Sequence, residues 1–207
     1  MGYFLLFSGM ATMVPWFQLL YESRGLDGNR MGLLLAMPSA ALILAAPVWS
    51  SLADFTHQHK LILISLIFGS ILFICGLLKA STFNFMLPLV IGYSVCFAPL
   101  MPFIDNLSLH NLGDKSDEVG KLRLWGSVGW VALTFPAGFL IDRSGLAPLF
   151  ITGLLFYFLL ALVLLGQPSW PQSIGRDFWK GARGMLRDSN LARLLFFVFL
   201  HGMGLNL

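Results

Sequence analysis

Charged residues are scarce in this sequence. They make up 11% of the 207 residues, whereas hydrophobic residues make up 57%. A chain of this composition is much more apolar than an ordinary soluble domain. The 13 Lys and Arg residues exceed the 10 Asp and Glu residues, giving a net charge of +3, but the cations are scattered between apolar runs. We therefore attribute the positive charge to membrane topology and predict no nucleic-acid partner.

Signatures of catalysis and of metal binding are also missing. The sequence has no CxxC pair, no phosphate loop, no HExxH motif and no Ser/His/Asp arrangement. Cys75 and Cys96 lie inside apolar runs, where a free thiol acts as a small hydrophobic group. His57, His59 and His110 lie in predicted inner loops, and we expect them to be solvated. The sequence therefore predicts no enzyme, no metal site and no cofactor.

Apolar runs of about 20 residues, the length that a helix needs to cross a bilayer core, occur repeatedly. None shows the two-residue alternation of a membrane strand. The first run lacks a basic leader and a clear cleavage site, so we interpret it as a span rather than a signal peptide. A seventh run begins at Leu191 and continues to Leu207. The six complete runs are Tyr3–Tyr21, Met31–Ala53, Leu61–Leu78, Phe83–Ile104, Leu122–Ile141 and Leu146–Gly166.

These runs predict an all-α, polytopic membrane protein with three regions. Residues 1–167 form a six-helix bundle, residues 168–190 form a central cytoplasmic loop, and residues 191–207 begin a second bundle. Within the loop, apolar residues at helical spacing from Phe178 to Leu186 favour an amphipathic helix on the inner membrane surface. A partly ordered linker is the alternative. We expect the chain to be the first half of a protein nearly twice as long.

The distribution of cations predicts the orientation of the spans, because cytoplasmic loops are enriched in Lys and Arg. A cytoplasmic N-terminus places nine cations inside and four outside, and we predict this orientation in a cell (inner) membrane. The inner cations are Lys60, Lys115, Lys121, Arg123, Arg176, Lys180, Arg183, Arg187 and Arg193, and the outer ones are Arg24, Arg30, Lys79 and Arg143.

One narrow polar face interrupts the fifth apolar run. Arg123, Ser127, Trp130 and Thr134 fall within a stripe about 60° wide at helical periodicity. Polar residues inside a membrane usually face a water-filled or substrate-lined interior, which is the role this stripe predicts. Alternatively, Arg123 lies close enough to the cytoplasmic end to extend its side chain into the lipid headgroups.

The fourth run ends in a carboxylate that could partner this stripe. Asp105 follows Pro99 and Pro102 at the predicted inner end of the run. If the fourth and fifth spans pack side by side, Asp105 and Arg123 lie at similar depth and can form an ion pair, which lowers the cost of holding either charge away from water. The alternative interpretation makes Asp105 a simple boundary residue.

The first run carries a second stripe, formed by Ser8, Thr12, Pro15 and Glu22 with Gln18 at its edge. Proline removes a backbone donor, so Pro15 predicts a kink. Helix packing would explain the small residues of this stripe but not Gln18. We therefore include Gln18 among the candidate substrate-binding residues.

Two segments resemble the major facilitator superfamily of membrane transporters. The loop from Ser50 to Lys60 resembles its Gly-x-x-x-Asp-Arg/Lys-x-Gly-Arg/Lys motif, with Asp54 and Lys60 matching the gating-loop positions. Residues 120–130 are similar to the start of the fifth helix in the oligosaccharide–proton and nucleoside–proton symporter branch. The phenylpropionate-transporter-like proteins share its Arg-x-Trp-Gly-Ser core. Residues 98–106 resemble the end of their fourth helix.

The resemblance implies roles for single residues. Arg123 matches a substrate-binding arginine of the family's sugar transporters, and Trp130 matches a tryptophan that stacks on the sugar ring. The fourth-helix carboxylate of those transporters falls on Pro102, whereas this chain has Asp105 one helical turn later. This departure favours the phenylpropionate-like branch.

The expected function is secondary active transport by alternating access. The resemblance implies a proton symporter of a small organic solute such as an aromatic acid, a sugar or a nucleoside. We expect the full-length protein to work as a monomer in the lipid bilayer, with Arg123, Trp130, Ser127, Asp105 and Gln18 at the substrate. The alternative is a membrane scaffold or receptor built on the same bundle.

Overall fold

The structure is a computed structural model that describes residues 1–113 and 118–167. Throughout this part of the chain the regular structure is helical. The predicted amphipathic loop helix and the start of the second bundle lie outside the described residues. The α-helices are α1 Gly2–Ala11, α2 Phe17–Ser23, α3 Gly28–Thr56, α4 His59–Lys79, α5 Phe83–Phe97, α6 Leu100–Leu112, α7 Val119–Ser144 and α8 Ala147–Leu165, with a 3-10 helix at Val14–Trp16.

These helices form six segments that are long and apolar enough to cross a membrane. The first combines α1 with α2, the fourth combines α5 with α6, and each remaining helix is one segment. All six predicted runs fall on them, so the prediction of six spans in an all-α fold is confirmed. The second span is longer than its apolar run because Asp27 caps it, its Oδ1 accepting from the Arg30 backbone N–H at 3.1 Å.

The first span is broken at the predicted proline. After α1 ends at Ala11, the Thr12 hydroxyl donates to the Gly9 carbonyl at 3.0 Å, and a 3-10 turn containing Pro15 leads into α2. Pro99 similarly separates α5 from α6. A proline lacks the backbone donor that would continue the ladder, so both interruptions have a direct chemical cause.

Helix α1 packs between α7 and α8, while α4 packs against α5 and α8. The contact with α7 is very close, because a Cβ added at Gly129 would lie 2.6 Å from Ser8 Oγ and 2.8 Å from the Phe4 carbonyl oxygen. Ser8 and Thr12 are both buried, at 0% and 1% exposure. Helix packing, the alternative for this part of the first-span stripe, therefore accounts for these two residues.

The close contact between α1 and α7 predicts unequal effects of two glycine substitutions on the same helix. We expect Gly129→Ala to lower stability by about 1–3 kcal/mol, since the Phe4 carbonyl cannot rotate away from the new methyl group. At Gly138 nothing lies within 4 Å of an added Cβ, so Gly138→Ala should leave stability unchanged or raise it by up to about 1 kcal/mol. Thermal unfolding of both variants in detergent measures the difference, and equal melting temperatures would contradict the packing described.

Candidate functional site

An ion pair joins the fourth and fifth spans. Arg123 donates from Nη2 to Asp105 Oδ2 at 2.5 Å and from Nε to Oδ1 at 3.2 Å. The two-point geometry fixes the guanidinium against the carboxylate. The Asp105 side chain is 22% exposed and that of Arg123 is 52% exposed. The ion pair predicted between the fourth and fifth spans is present, and the Arg123 guanidinium is held by Asp105 in this structure.

A third residue completes the arrangement. The Tyr3 hydroxyl donates to Asp105 Oδ1 at 2.5 Å, and the residue is 3% exposed. We call Tyr3, Asp105 and Arg123 the inner polar cluster, after the predicted position of these residues at the inner ends of their spans; it joins α1, α6 and α7. Sequence reasoning missed Tyr3 because a tyrosine at the start of an apolar run is unremarkable. The available signal was its position at the predicted inner end of its span, level with Asp105.

The rest of the α7 stripe lies C-terminal to Arg123 along the helix. Trp130 is half-buried and packs edge-to-face on Phe7 of α1, with ring centroids 6.5 Å apart. Ser127, one turn from Arg123, is exposed. The Thr134 hydroxyl is buried without a hydrogen-bond partner among the described residues. The stripe is therefore continuous along the helix, with Trp130 anchored to α1 on one side.

An apolar hollow of about 250 Å³ lies between α1, α3 and the α5–α6 break. Its walls include Met10 of α1, Leu42 of α3, and Phe97 and Met101 on either side of the break. Met101 precedes Asp105 by one helical turn, so the hollow lies close to the inner polar cluster.

Gln18 lies apart from this cluster. Its Nε2 donates to Glu22 Oε1 at 2.9 Å on the exposed side of α2. At the helical rise, fifteen residues separate it from Tyr3 by roughly 20 Å along the span. The structure therefore brings Asp105 and Arg123 together but leaves Gln18 at the other end.

The loop between α3 and α4 corrects one expectation. His59, predicted to be solvated, is 3% exposed, and its Nε2 lies 2.9 Å from Asp54 Oδ1. Its ring also packs against Phe103 of α6. The turn between α3 and α4 directs the imidazole inward, because its partner carboxylate lies five residues earlier on the preceding helix. His57 and His110 are exposed, as expected.

Lys60, the other matched loop residue, caps a distant helix. Its Nζ donates to the carbonyl oxygens of Leu165 at 2.8 Å and Gln167 at 2.5 Å. Leu165 ends α8 and Gln167 follows it; the last turn of a helix lacks intrahelical donors for its carbonyls, and the helix dipole favours a cation there. Asp54 and Lys60 therefore connect the C-terminal ends of α3 and α8 with the N-terminal end of α4.

Trp125 lies at the surface of the described bundle. It is 60% exposed and lines a second hollow of about 450 Å³ with Phe4 and Leu122. The close approach of α1 and α7 occurs through the glycine face of α7, so the bulky Trp125 is displaced to its edge. Among the described residues no group of three His, Cys, Asp or Glu side chains could hold a metal ion, and Cys75 and Cys96 are free thiols.

Comparison with known proteins gives the family. Residues 1–207 match the family model described as the MFS_1 like family, so the chain belongs to this family of the major facilitator superfamily. The prediction made from the loop motif and from residues 98–130 is thereby confirmed.

The relatives include transporters of different solutes. The chain is 26% identical over 200 residues to the maltose permease of Geobacillus stearothermophilus, covering 96% of this chain and 51% of the permease. It is 30% identical over 138 residues to an Escherichia coli protein provisionally named a 3-phenylpropionic acid transporter, covering 63% and 35% of the two chains. These relatives are named as transporters and not as enzymes.

A solved structure shows the same fold. The crystal structure of the nucleoside transporter NupG matches with a TM-score of 0.75 at 18% identity, over 97% of this chain and 52% of NupG. The chain therefore spans about half the length of the maltose permease and of NupG, and has the fold of a membrane-spanning half of such proteins.

The cap formed by Lys60 predicts that replacing the lysines at the two ends of α4 has different effects on stability. Lys60→Met should lower the free energy of unfolding by roughly 1 kcal/mol, because the carbonyls of Leu165 and Gln167 at the end of α8 lose a charged donor. Lys79→Met, in the exposed last turn of the same helix, should change it by less than about 0.5 kcal/mol. Thermal unfolding in detergent compares the two variants, and equal losses of stability would contradict the proposed cap.

Proposed function

We propose that the full-length protein is a secondary active transporter of a small organic solute and that the inner polar cluster is part of its substrate site. The observation that carries the proposal is the Asp105–Arg123 pair, which lies beside an open hollow in a chain of this family. Charged residues within membrane spans are costly and are usually kept for transport pathways. A six-helix half and a second bundle would expose the site alternately to each side.

Each residue of the site has a distinct proposed role. Arg123 binds a carboxylate or hydroxyl of the substrate. When the substrate is absent, Asp105 forms an ion pair with Arg123. Trp130 stacks on a flat ring, Ser127 offers a hydroxyl one turn from Arg123, and Gln18 lines the outer part of the pathway. The competition between Asp105 and the substrate for one guanidinium is the central step.

This competition supports coupling to protons. A proton on Asp105 removes the negative charge that holds Arg123, so the guanidinium becomes available to an anionic or hydroxyl-bearing substrate. The protonated, substrate-bound state then carries both species through the conformational change, and release of the proton restores the ion pair. The protein is proposed to act as a monomer.

The inner ends of the helices supply the proposed gate. Asp54–His59 and the Lys60 cap tie α3, α4 and α8 on the side where cations are concentrated. We place this side, and the N-terminus, in the cytoplasm of a bacterial cell, with the spans in the inner membrane. A scaffold or receptor, the alternative interpretation, would have no use for an ion pair beside a hollow.

Replacing Arg123 tests the substrate role. Arg123→Ala should reduce solute uptake about 100-fold or more, because the substrate loses its charged partner and Asp105 is left unpaired. Arg123→Lys should restore only part of the uptake, since an ammonium cannot make the two-point contact. Arg143→Ala, at the outer end of the same helix, is the matched control and should transport normally.

These variants are assayed by radiolabelled uptake into cells that carry equal amounts of the protein in the membrane. Normal uptake by Arg123→Ala would refute this site. The absence of uptake of any solute by the wild type, over a broad panel of sugars, nucleosides and organic acids, would favour the scaffold.

Replacing Asp105 tests the coupling. Asp105→Asn is a permanent mimic of the protonated carboxyl, so we expect it to abolish proton-driven accumulation while retaining exchange of labelled for unlabelled solute. Proton movement is followed with a pH-sensitive dye inside liposomes. Asp142→Asn, exposed near the outer end of α7, serves as the control. Proton uptake that persists with substrate in Asp105→Asn would assign coupling elsewhere.

A further inference from the structure

We infer that the substrate is a small organic acid with one carboxylate and a single apolar ring, bound with its charge at Arg123 and its ring in the apolar hollow. This inference rests on the proposed function, because it names the substrate class of the same site. It selects among the sugars, nucleosides and aromatic acids that the family resemblance leaves open.

The first argument is the chemistry of the hollow. Hydrocarbon and thioether groups from Leu6, Met10, Leu42, Phe97 and Met101 form most of its wall, and the hydroxyl it contains belongs to Ser39. A sugar has hydroxyls along all its edges, and these would lose water without gaining partners there. An aromatic or alicyclic ring has no such cost, and methionine sulfur packs favourably against aromatic edges.

The second argument is size. The hollow holds about 250 Å³, below the range of roughly 300–1,000 Å³ that drug-sized ligands occupy. One ring with a short side chain is compatible with this volume. A disaccharide would have to place much of its polar surface outside the hollow.

The third argument is register. Tyr3, Leu6 and Met10 fall within about 60° of one another around α1 at helical periodicity. The face that directs the Tyr3 hydroxyl to Asp105 therefore continues into the wall of the hollow. On α6, Met101 and Asp105 are one turn apart, a rise of about 6 Å. A ligand with its ring against Met101 has its charged end within reach of the inner polar cluster.

The fifth span has the same order of charged and apolar groups along its axis. Trp130 lies two turns outward of Arg123, about 10 Å along α7, which equals the separation of Met10 from Tyr3 along α1. Since α1 and α7 each begin at the end that contributes to the inner polar cluster, aromatic and apolar groups lie on the same side of it on both helices. Trp130 does not line the hollow, so in this inference the hollow replaces the Trp130 stacking proposed above as the place of the ring. The site is charged at one end and apolar at the other.

Ligand binding by the purified full-length protein tests this polarity. The probes are 3-phenylpropionate, 3-phenylpropionamide, propionate, maltose and uridine, each measured by isothermal titration calorimetry. We expect 3-phenylpropionate to bind at least about tenfold more tightly than propionate, which lacks the ring, and than the amide, which lacks the charge. Maltose and uridine should not bind over the same concentration range.

Two variants test the location of the ring. Leu42→Gln and Met101→Gln should each weaken 3-phenylpropionate binding about tenfold or more while changing propionate binding much less, so the ratio of the two affinities falls. Leu44→Gln, on the same helix as Leu42 and 71% exposed, is the matched control and should leave the ratio unchanged. A merely structural defect would lower both affinities together.

The outcomes separate the inference from the proposed function. Arg123-dependent binding of maltose or uridine without binding of the acids would overturn the substrate class and leave transport at this site in place. Binding of 3-phenylpropionate that both hollow variants retain would also overturn the inference. Failure of every probe to bind, combined with failure of the wild type to take up any solute, would overturn both.

Discussion

The organisation of the site depends on the hydrogen bonds that the Asp105 carboxylate accepts. It accepts hydrogen bonds from Tyr3 on α1 and from Arg123 on α7, while its own helix belongs to the fourth span. A charge held within a membrane protein needs partners that replace water. The first span and the consecutive fourth and fifth spans must therefore meet at one depth, and this requirement sets the register of the helix segments that carry these three residues.

The glycines of α7 make that register possible. Gly126 and Gly129 allow α1 to approach until Phe7 and Ser8 contact the backbone of α7. The same approach places Phe7 against Trp130. If side chains kept the helices farther apart, Tyr3 could not reach the carboxylate that Arg123 holds. The glycine face of α7 and its polar stripe therefore both depend on the close approach of α1.

The number of spans, the break at Pro15 and the Asp105–Arg123 pair could be predicted from the sequence, because hydropathy, proline chemistry and helical periodicity act locally. Other features depend on tertiary contacts that no local pattern specifies. His59 is buried because its turn directs it toward Asp54 and Phe103. Lys60 finds its partners more than one hundred residues later.

The two helix breaks lie beside the apolar hollow. The break in the first span follows Met10, and the break in the fourth falls between Phe97 and Met101, all of which line the hollow. A helix whose hydrogen-bond ladder is already interrupted tilts at lower cost than a continuous one. Both breaks therefore place walls of the hollow at points where the backbone hydrogen-bond ladder is already interrupted. In the proposed mechanism, an ion pair that opens on protonation and walls that adjust around an apolar body are complementary requirements, because the site must bind its ligand and then release it.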